Sequence, residues 1–436
     1  MTKNRLNLTL ALVCFACIGF SQNRVPQATK EVESEKKPIK VSLLSNYYEQ
    51  DGEHGATNGG KGSQDLYSYT QEGSIFLPVS KRVGVKLSGG VDYFTAASYL
   101  DIDKYKTSAS SGNSGVSVDE TRTYGGIGID FSNKNQTKTM SPYVGFSKEY
   151  DVNSLTLGYS HSLINPTSGS VLSFKLNSIM DTWMLIYPGE FRNTNDEYDA
   201  GTSASDKGTK INPNAIPIVN SGDTKTKDGK TYGIDNRYSN AIGANYAFNI
   251  NKKMNALIGV DAIFQKGLLN TPFYRVYFKD GVIDEYSKTV AIEKLPRLRH
   301  KLAIYGRFNW FLNKFVVLRT SLRLYKDDWG INSATFDLTV PVKVTRAVTI
   351  SPFVKVHAQT ASDYFAGYGR HLLTDQYYTS DFDLSQLQSQ KIGGTLRLVP
   401  FHKFLNVKSL DLRYAHYKRS DGLTGNSITA ELSFEF

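Results

Sequence analysis

The feature that most restricts this chain is an alternation of apolar and polar residues with a period of two, repeated from about residue 39 to the last residue. In the final segment Ile428, Ala430, Leu432, Phe434 and Phe436 fall on one face, and Thr429, Glu431, Ser433 and Glu435 on the other. Upstream, Val83, Val85, Leu87 and Val91 oppose Lys86, Ser88 and Asp92, and Leu318, Leu322 and Leu324 oppose Arg319, Ser321 and Arg323. That period belongs to strands whose two faces meet different surroundings. A long series of them, separated by turn residues, argues against a helical protein. Beyond the first twenty residues no apolar run approaches the roughly 18 residues of a membrane helix. A chain without such helices crosses a bilayer as a closed barrel, in which every backbone group finds a partner on the next strand. The expected fold is therefore all-β: a transmembrane antiparallel up-and-down β-barrel, apolar toward lipid and polar toward its lumen.

The pattern predicts about 16 strands, with 14 to 18 allowed by the uncertainty of strand boundaries. They fall near 39–49, 69–78, 83–94, 121–132, 137–149, 153–163, 169–182, 235–249, 254–265, 297–311, 315–325, 331–342, 347–358, 388–400, 408–419 and 427–436. Residues Phe273–Phe278 are a further strand candidate. Outer-membrane barrels have short periplasmic turns and longer extracellular loops. Segments such as 251–253, 312–314 and 343–346 are short, whereas 95–120, 183–234, 266–296 and 359–387 are long and fit the outer side. Carried strictly through all these strands, the alternation calls for at least one strand to be added or merged.

The ends carry further expectations. Lys3 and Arg5 precede an apolar run, Leu6 to Phe20, and Gly19-Phe20-Ser21 supplies small residues for cleavage before Gln22. This is a signal-peptide layout. The expected organisation is a signal peptide over 1–21, a flexible polar lead-in over 22–38, and an outer-membrane barrel of a Gram-negative cell over 39–436. Both cysteines, Cys14 and Cys17, lie in the signal, so a mature chain has no disulfide, thiolate metal site or covalent haem. The lead-in is too short for a folded plug. A terminal strand ending in Phe434 and Phe436 is the type of signal read by the barrel-assembly machinery. The net charge of +10 has no basic helix or aromatic-basic motif behind it, and nucleic acid is not an expected partner.

Catalytic chemistry finds little support. Ser160 and His161 are adjacent, but neighbouring strand residues point to opposite faces and cannot meet as nucleophile and base. There is no Gly-x-Ser-x-Gly elbow, and the seven histidines are scattered without metal-ligand spacing. Neither an enzyme nor a cofactor is expected. The acidic positions Asp327 and Asp328, and Asp375 with Asp381 and Asp383, offer oxygen ligands for calcium or for cations that bridge lipopolysaccharide, but they lack the spacing of a calcium loop and read first as solvated loop charge. More telling are inward charges of both signs. Arg307, Arg319, Arg323, Lys355, Asp337 and Arg397 are candidate lumen residues, with the positive ones concentrated between 297 and 325. They would either line a water-filled channel or lock together and help to close it.

Several segments resemble an uncharacterised family of exported barrels, the domain of unknown function 3570. They are Tyr47-Tyr48-Glu49-Gln50-Asp51-Gly52 with Gly59-Gly60-Lys61-Gly62; Thr271-Pro272-Phe273-Tyr274-Arg275; Glu293 through Arg299; Asp327-Asp328-Trp329-Gly330-Ile331; and Tyr378 through Ser385. The family brings no activity, so the resemblance carries over no catalytic residue; it hints at exported redox partners. By the loop count all five segments fall at the outer loops or at strand ends feeding them. Asp51, Arg275, Glu293, Arg297, Asp327, Asp328, Asp381 and Asp383 are thus candidate mouth residues. The functional expectation is a pore or gated channel for small hydrophilic solutes. The alternative is a non-enzymatic barrel that docks a periplasmic lipoprotein, a redox protein or a surface partner. Outer-membrane lipid is the surrounding medium in both.

Overall fold

The computed structural model describes residues 37–95, 111–112, 115–116, 119–188, 224–225, 231–280, 289–400 and 405–436. The expected signal peptide and most of the lead-in lie outside them. Among the described residues sixteen staves form one antiparallel sheet: β1 (Lys40–Asp51), β2 (Leu66–Pro78), β3 (Val83–Thr95), β4 (Asp119–Ser132), β5 (Lys138–Lys148), β6 (Val152–Ile164), β7 (Val171–Met184), β8 (Ile234–Asn251), β9 (Met254–Gly267), β10 (Leu298–Phe311), β11 (Val317–Asp327), β12 (Asn332–Thr339, extended after a break by the pair Val342–Lys343), β13 (Val348–Gln359), β14 (Leu387–Leu398), β15 (Val407–Arg419) and β16 (Thr424–Glu435). Each pairs with its neighbours in sequence, and β1 pairs with both β2 and β16, so the sheet closes on itself without an edge.

The two faces separate as the alternation requires. Leu157, Leu176, Ile242, Ile258, Ile304, Leu324, Ile350, Ile392, Leu412 and Ile428 are all exposed, one face of the wall after another. In water such a continuous apolar band would drive aggregation, whereas against lipid tails it costs nothing. The opposite face carries Glu72, Asp92, Lys175, Asp261, Arg323, Lys355 and Glu431 in cross-strand register with other polar or small residues. Inward tyrosines lie over strand glycines: a Cβ on Gly126 would meet the Tyr143 hydroxyl at 2.2 Å, and one on Gly259 the Tyr305 ring at 2.4 Å.

Strict alternation of the connections needs no strand added or merged, which corrects that expectation. The start of β1 and the end of β16 lie on one rim, together with the short turns, for example 252–253 and 312–316. The loop rim carries 52–65, 96–118, 185–233, 268–297 and 360–386, but also the tight connections 149–151, 328–331 and 420–423. Loop length alone therefore did not mark the side. Nor is Phe273–Phe278 a barrel strand. Arg275–Tyr277 pairs with Val290–Ile292 as a separate two-stranded sheet inside a single loop.

Candidate functional site: the loop-rim cap and the charged inner wall

Three loops, 52–65, 268–297 and 360–386, fold together at the loop rim around a core of their own. Val276, Phe278, Ala291 and Tyr378 form its apolar centre, with Val290 and Ile292 packed against Tyr187 and Tyr277. Loops 268–297 and 360–386 cross-link through bridges between Lys294 and Tyr378 and between Phe278 and His371, and a bridge between Phe365 and Thr379 braces loop 360–386 internally. Loop 52–65 joins through His54, whose ring stacks on Phe382 at 3.8 Å. Gly59 and Gly60 allow that approach. Both have positive φ (74° and 85°), and a Cβ would stand 2.5 Å from the Tyr277 ring in one case and 2.6 Å from the Ser380 carbonyl in the other. The resemblance-bearing glycine segment thus has a physical role, close packing of one loop on two others.

Charged groups are buried in this cap. The Arg275 side chain, 2% exposed, donates from Nη1 to the Thr57 carbonyl at 2.7 Å. Glu293, also 2% exposed, accepts from the Thr271 amide at 2.8 Å and from the Thr379 hydroxyl. Burial pushes its carboxyl up to about 8, and the negative charge of Asp381 adds to the shift. Asp381 accepts from the Asp383 amide at 2.9 Å, capping the short 3-10 turn Phe382–Leu384, and burial with the Asp383 charge pushes it up to about 7. His371 is buried, with Nδ1 3.0 Å from Asp375 and Nε2 2.9 Å from the Thr379 carbonyl.

The cap is fastened to the barrel wall. Inward-facing Gln359 donates to the carbonyls of Asp383 and Ser385 at 2.9 and 2.8 Å. Arg419 pairs with Asp383 and Asp421 and donates to the Phe382 carbonyl at 3.1 Å. Arg297 grips the buried Asp235 with two bonds of 2.6 and 2.8 Å. Asp327 is a second anchor. It accepts from Arg299 Nε at 2.9 Å, the Tyr325 hydroxyl at 2.7 Å, and the amides of Trp329 and Ile331 at 3.1 and 3.0 Å. Trp329 in turn donates to the Leu298 carbonyl at 3.0 Å and lies under the Arg299 guanidinium at 4.2 Å.

Of the eight proposed mouth residues, the cap and its anchors therefore gather Arg275, Glu293, Arg297, Asp327, Asp381 and Asp383. Asp328 stays at the surface beside His300 at 2.8 Å, and Asp51 borders a crevice of about 330 Å³ with Tyr47, Glu49, Tyr67 and Asn426. The expectation of solvated loop charge is corrected for Asp327, which is enclosed and satisfied by two backbone amides, a tyrosine and an arginine, and for Asp381, which is half-buried and accepts from the Asp383 amide; it describes only Asp328 and Asp383, whose side chains are 41% and 70% exposed. Arg419, Gln359, Asp235, His54 and His371 were not singled out from sequence. Gln359, Asp235 and the ring of His54 meet partners tens of residues away, as Arg419 does in Asp383, and such pairs leave no local spacing to read; the short spacings His371 to Asp375 and Arg419 to Asp421 were there to be read.

Exchanging Asp327 for alanine is expected to lower the temperature at which the folded band converts to the unfolded one on a gel. The change leaves Arg299 in place beside an emptied buried site, a loss of about 3–5 kcal/mol for broken buried pairs. An unchanged conversion temperature would show that the anchor is dispensable.

On the inner wall, the register sets Arg307 opposite Ser321, Ser321 opposite Asp337, Asp337 opposite Lys355, and Lys355 opposite Lys391. Arg319 lies opposite Asn309, and Arg323 opposite Tyr305 with Asp261 3.6 Å away. Arg397 is held by Asp411 through two bonds of 2.6 and 2.8 Å. Ser160 stands opposite inward Lys175, while His161 stands opposite Phe174 on the other face. Oxygens of Glu120, Glu149 and Asp151 lie within 4.8 Å of one another near the loop rim, with Arg122 3.6 Å from Glu149. Burial pushes Asp151 up to about 7.

A closed, even-stranded barrel with an apolar outer band and a charged, polar inner face is a transmembrane β-barrel of the outer-membrane type. The chain belongs to the DUF3570 family, described as protein of unknown function, whose model matches residues 103–433. No curated protein matches it. Among solved structures it is similar to a bacterial polysaccharide outer membrane secretin, at 8% identity and a TM-score of 0.42, covering 92% of this chain and 100% of that one. It is also similar to a mutant of the ferric enterobactin receptor PfeA from Pseudomonas aeruginosa, at 9% identity, a TM-score of 0.39, and coverage of 87% and 53%. A third is the siderophore receptor PirA from Acinetobacter baumannii, at 11% identity, a TM-score of 0.39, and coverage of 89% and 54%. The chain spans about half the length of these two receptors.

Proposed function

We propose that this protein is a gated outer-membrane channel for small hydrophilic solutes, with its loop rim facing outward and its short turns in the periplasm. The observation that supports this most is the joining of a charged inner wall to a folded cap. Cap loop 360–386 is held by inward-facing Gln359 and by Arg419, so movement of the cap would be felt at the lumen. The role is non-catalytic: the barrel supplies a polar path, and the cap regulates entry.

Purified protein in a planar bilayer is expected to conduct, and substitutions that weaken the cap are expected to raise its open fraction. Epitope tags inserted in 365–375 are expected to be labelled on intact cells, and tags near 251–253 to be labelled only after the outer membrane is opened. Silence in the bilayer together with reversed labelling would remove both parts of the reading. A second reading is a binding barrel that docks a surface partner, an exported redox protein or a periplasmic lipoprotein. It is favoured by the cap having a buried core of its own, since a rigid loop surface suits recognition. Conductance separates the two.

A further inference from the structure

The inner row that begins at Arg307 climbs the wall. Arg307 lies near Phe311, the short-turn end of β10, and Lys391 lies near Leu387, the loop-rim end of β14. Between them the register places Ser321, Asp337 and Lys355, and Lys301, Arg323 and Arg413 flank the row on the same face. Among the described residues, Lys301, Arg307, Lys355, Lys391 and Arg413 form no ion pair within 4.0 Å. Much of the positive charge elsewhere on the wall is matched. There Lys86 meets Asp130 at 2.8 Å, Arg122 meets Asp92 at 3.6 Å, and Arg237 meets Asp181 at 2.7 Å; Lys175 stands on that side as well. The lumen is thus electrically lopsided.

We propose that this row is a track for small anions, which makes the channel selective for solutes bearing phosphate or carboxylate groups. The inference rests on the channel reading above. Arg307, Lys355 and Arg413 are exposed, so their charges keep their hydration and cost little, and Lys301 and Lys391 are half-buried beside them; the surrounding lipid concentrates the field of the row into the lumen. Guanidinium and ammonium donors also make charge-assisted hydrogen bonds to an oxyanion. Asp337 breaks the run between Arg307 and Lys355. Conduction needs that kind of interruption, because an ion must be attracted enough to enter and held weakly enough to leave.

The test is the reversal potential of the full-length protein in a planar bilayer under a potassium chloride gradient. The native channel is expected to favour chloride. The triple exchange Arg307→Glu, Lys355→Glu and Lys391→Glu is expected to reverse the sign of that potential, with the heat-shifted gel band confirming that the barrel still folds. If the triple glutamate variant does not assemble, the neutral set Arg307→Gln, Lys355→Gln and Lys391→Gln is expected to lose the chloride preference. Conductance without anion preference, or a preference that these exchanges leave unchanged, overturns the track and leaves the channel standing. No conductance from the native protein overturns the channel reading and the track with it.

Discussion

Hydrogen exchange in the cap loop 360–386 is expected to speed up as pH rises from about 6 to about 9, beyond the ordinary chemical increase, and Glu293→Gln is expected to remove most of that excess. Glu293 is pushed up to about 8 and Asp381 to about 7, in both cases first by burial. A carboxyl whose folded value lies above its unfolded one binds its proton more tightly in the folded cap. Its contribution is complete below the unfolded value and is lost as pH climbs through the folded one. The two groups together place that loss between mildly acidic and mildly alkaline pH. Glutamine keeps its oxygen as an acceptor for the Thr271 amide, turns its NH2 toward the Thr379 hydroxyl oxygen as a donor, and cannot ionise, so the variant removes the titration while keeping the volume and a hydrogen bond at each position. Comparing the two proteins at each pH cancels the chemistry of exchange itself. Identical rates across the range would mean that Glu293 does not govern cap opening. The same experiment bears on gating, since a cap that opens with pH would give the channel a pH-dependent open fraction.

Deleting Phe436 is expected to have the largest effect on the amount of assembled protein, reducing the heat-shifted outer-membrane band severalfold or more. The residue closes the seam from the outside. Its amide donates to the Ile39 carbonyl at 2.9 Å, the Ile39 amide donates back at 3.1 Å, and its ring stacks near Phe434 at 6.3 Å. Yet the side chain is 57% exposed and adds little to internal packing. A severe loss of assembly with an unchanged conversion temperature in the fraction that does assemble would therefore point to recognition of the terminal aromatic by the assembly machinery. Replacement by tyrosine should preserve assembly. Normal amounts of the deletion protein in the outer membrane would remove that role.

The barrel was legible because each stave reports its own surroundings. On β10, Leu302 and Ile304 alternate with Lys301, Ala303 and Tyr305, and this pattern needs no partner to be read. The cap was not legible in this way. Arg275 reaches Thr57, Thr379 reaches Glu293, and Arg419 reaches Asp383, all across loop closures whose geometry is set by the barrel rather than by local spacing. Asp327 shows the difference most plainly. In sequence it is half of an Asp-Asp pair in a polar turn, whereas in the fold one aspartate is sealed among four donors and the next is left in solvent. The segments that carry the family resemblance mark where the cap would be, and their chemistry became readable only once the three loops were brought together. Inward positions on the wall could be assigned by parity, but not which carboxylate each would meet.

The pairing of β1 with β16 has a consequence for biogenesis. The bonds that close the cylinder join the first strand to the last, from Lys40 beside Glu435 to Asp51 beside Thr424. These are the contacts of greatest separation along the chain, and such contacts form slowly because nearly the whole polypeptide must be ordered before they are gained. Until β16 has been delivered, every intermediate has two raw edges able to pair with a neighbouring chain. Closure therefore cannot proceed strand by strand as the chain emerges. It must wait for the last strand, with the unfinished sheet shielded by something other than itself in the interval.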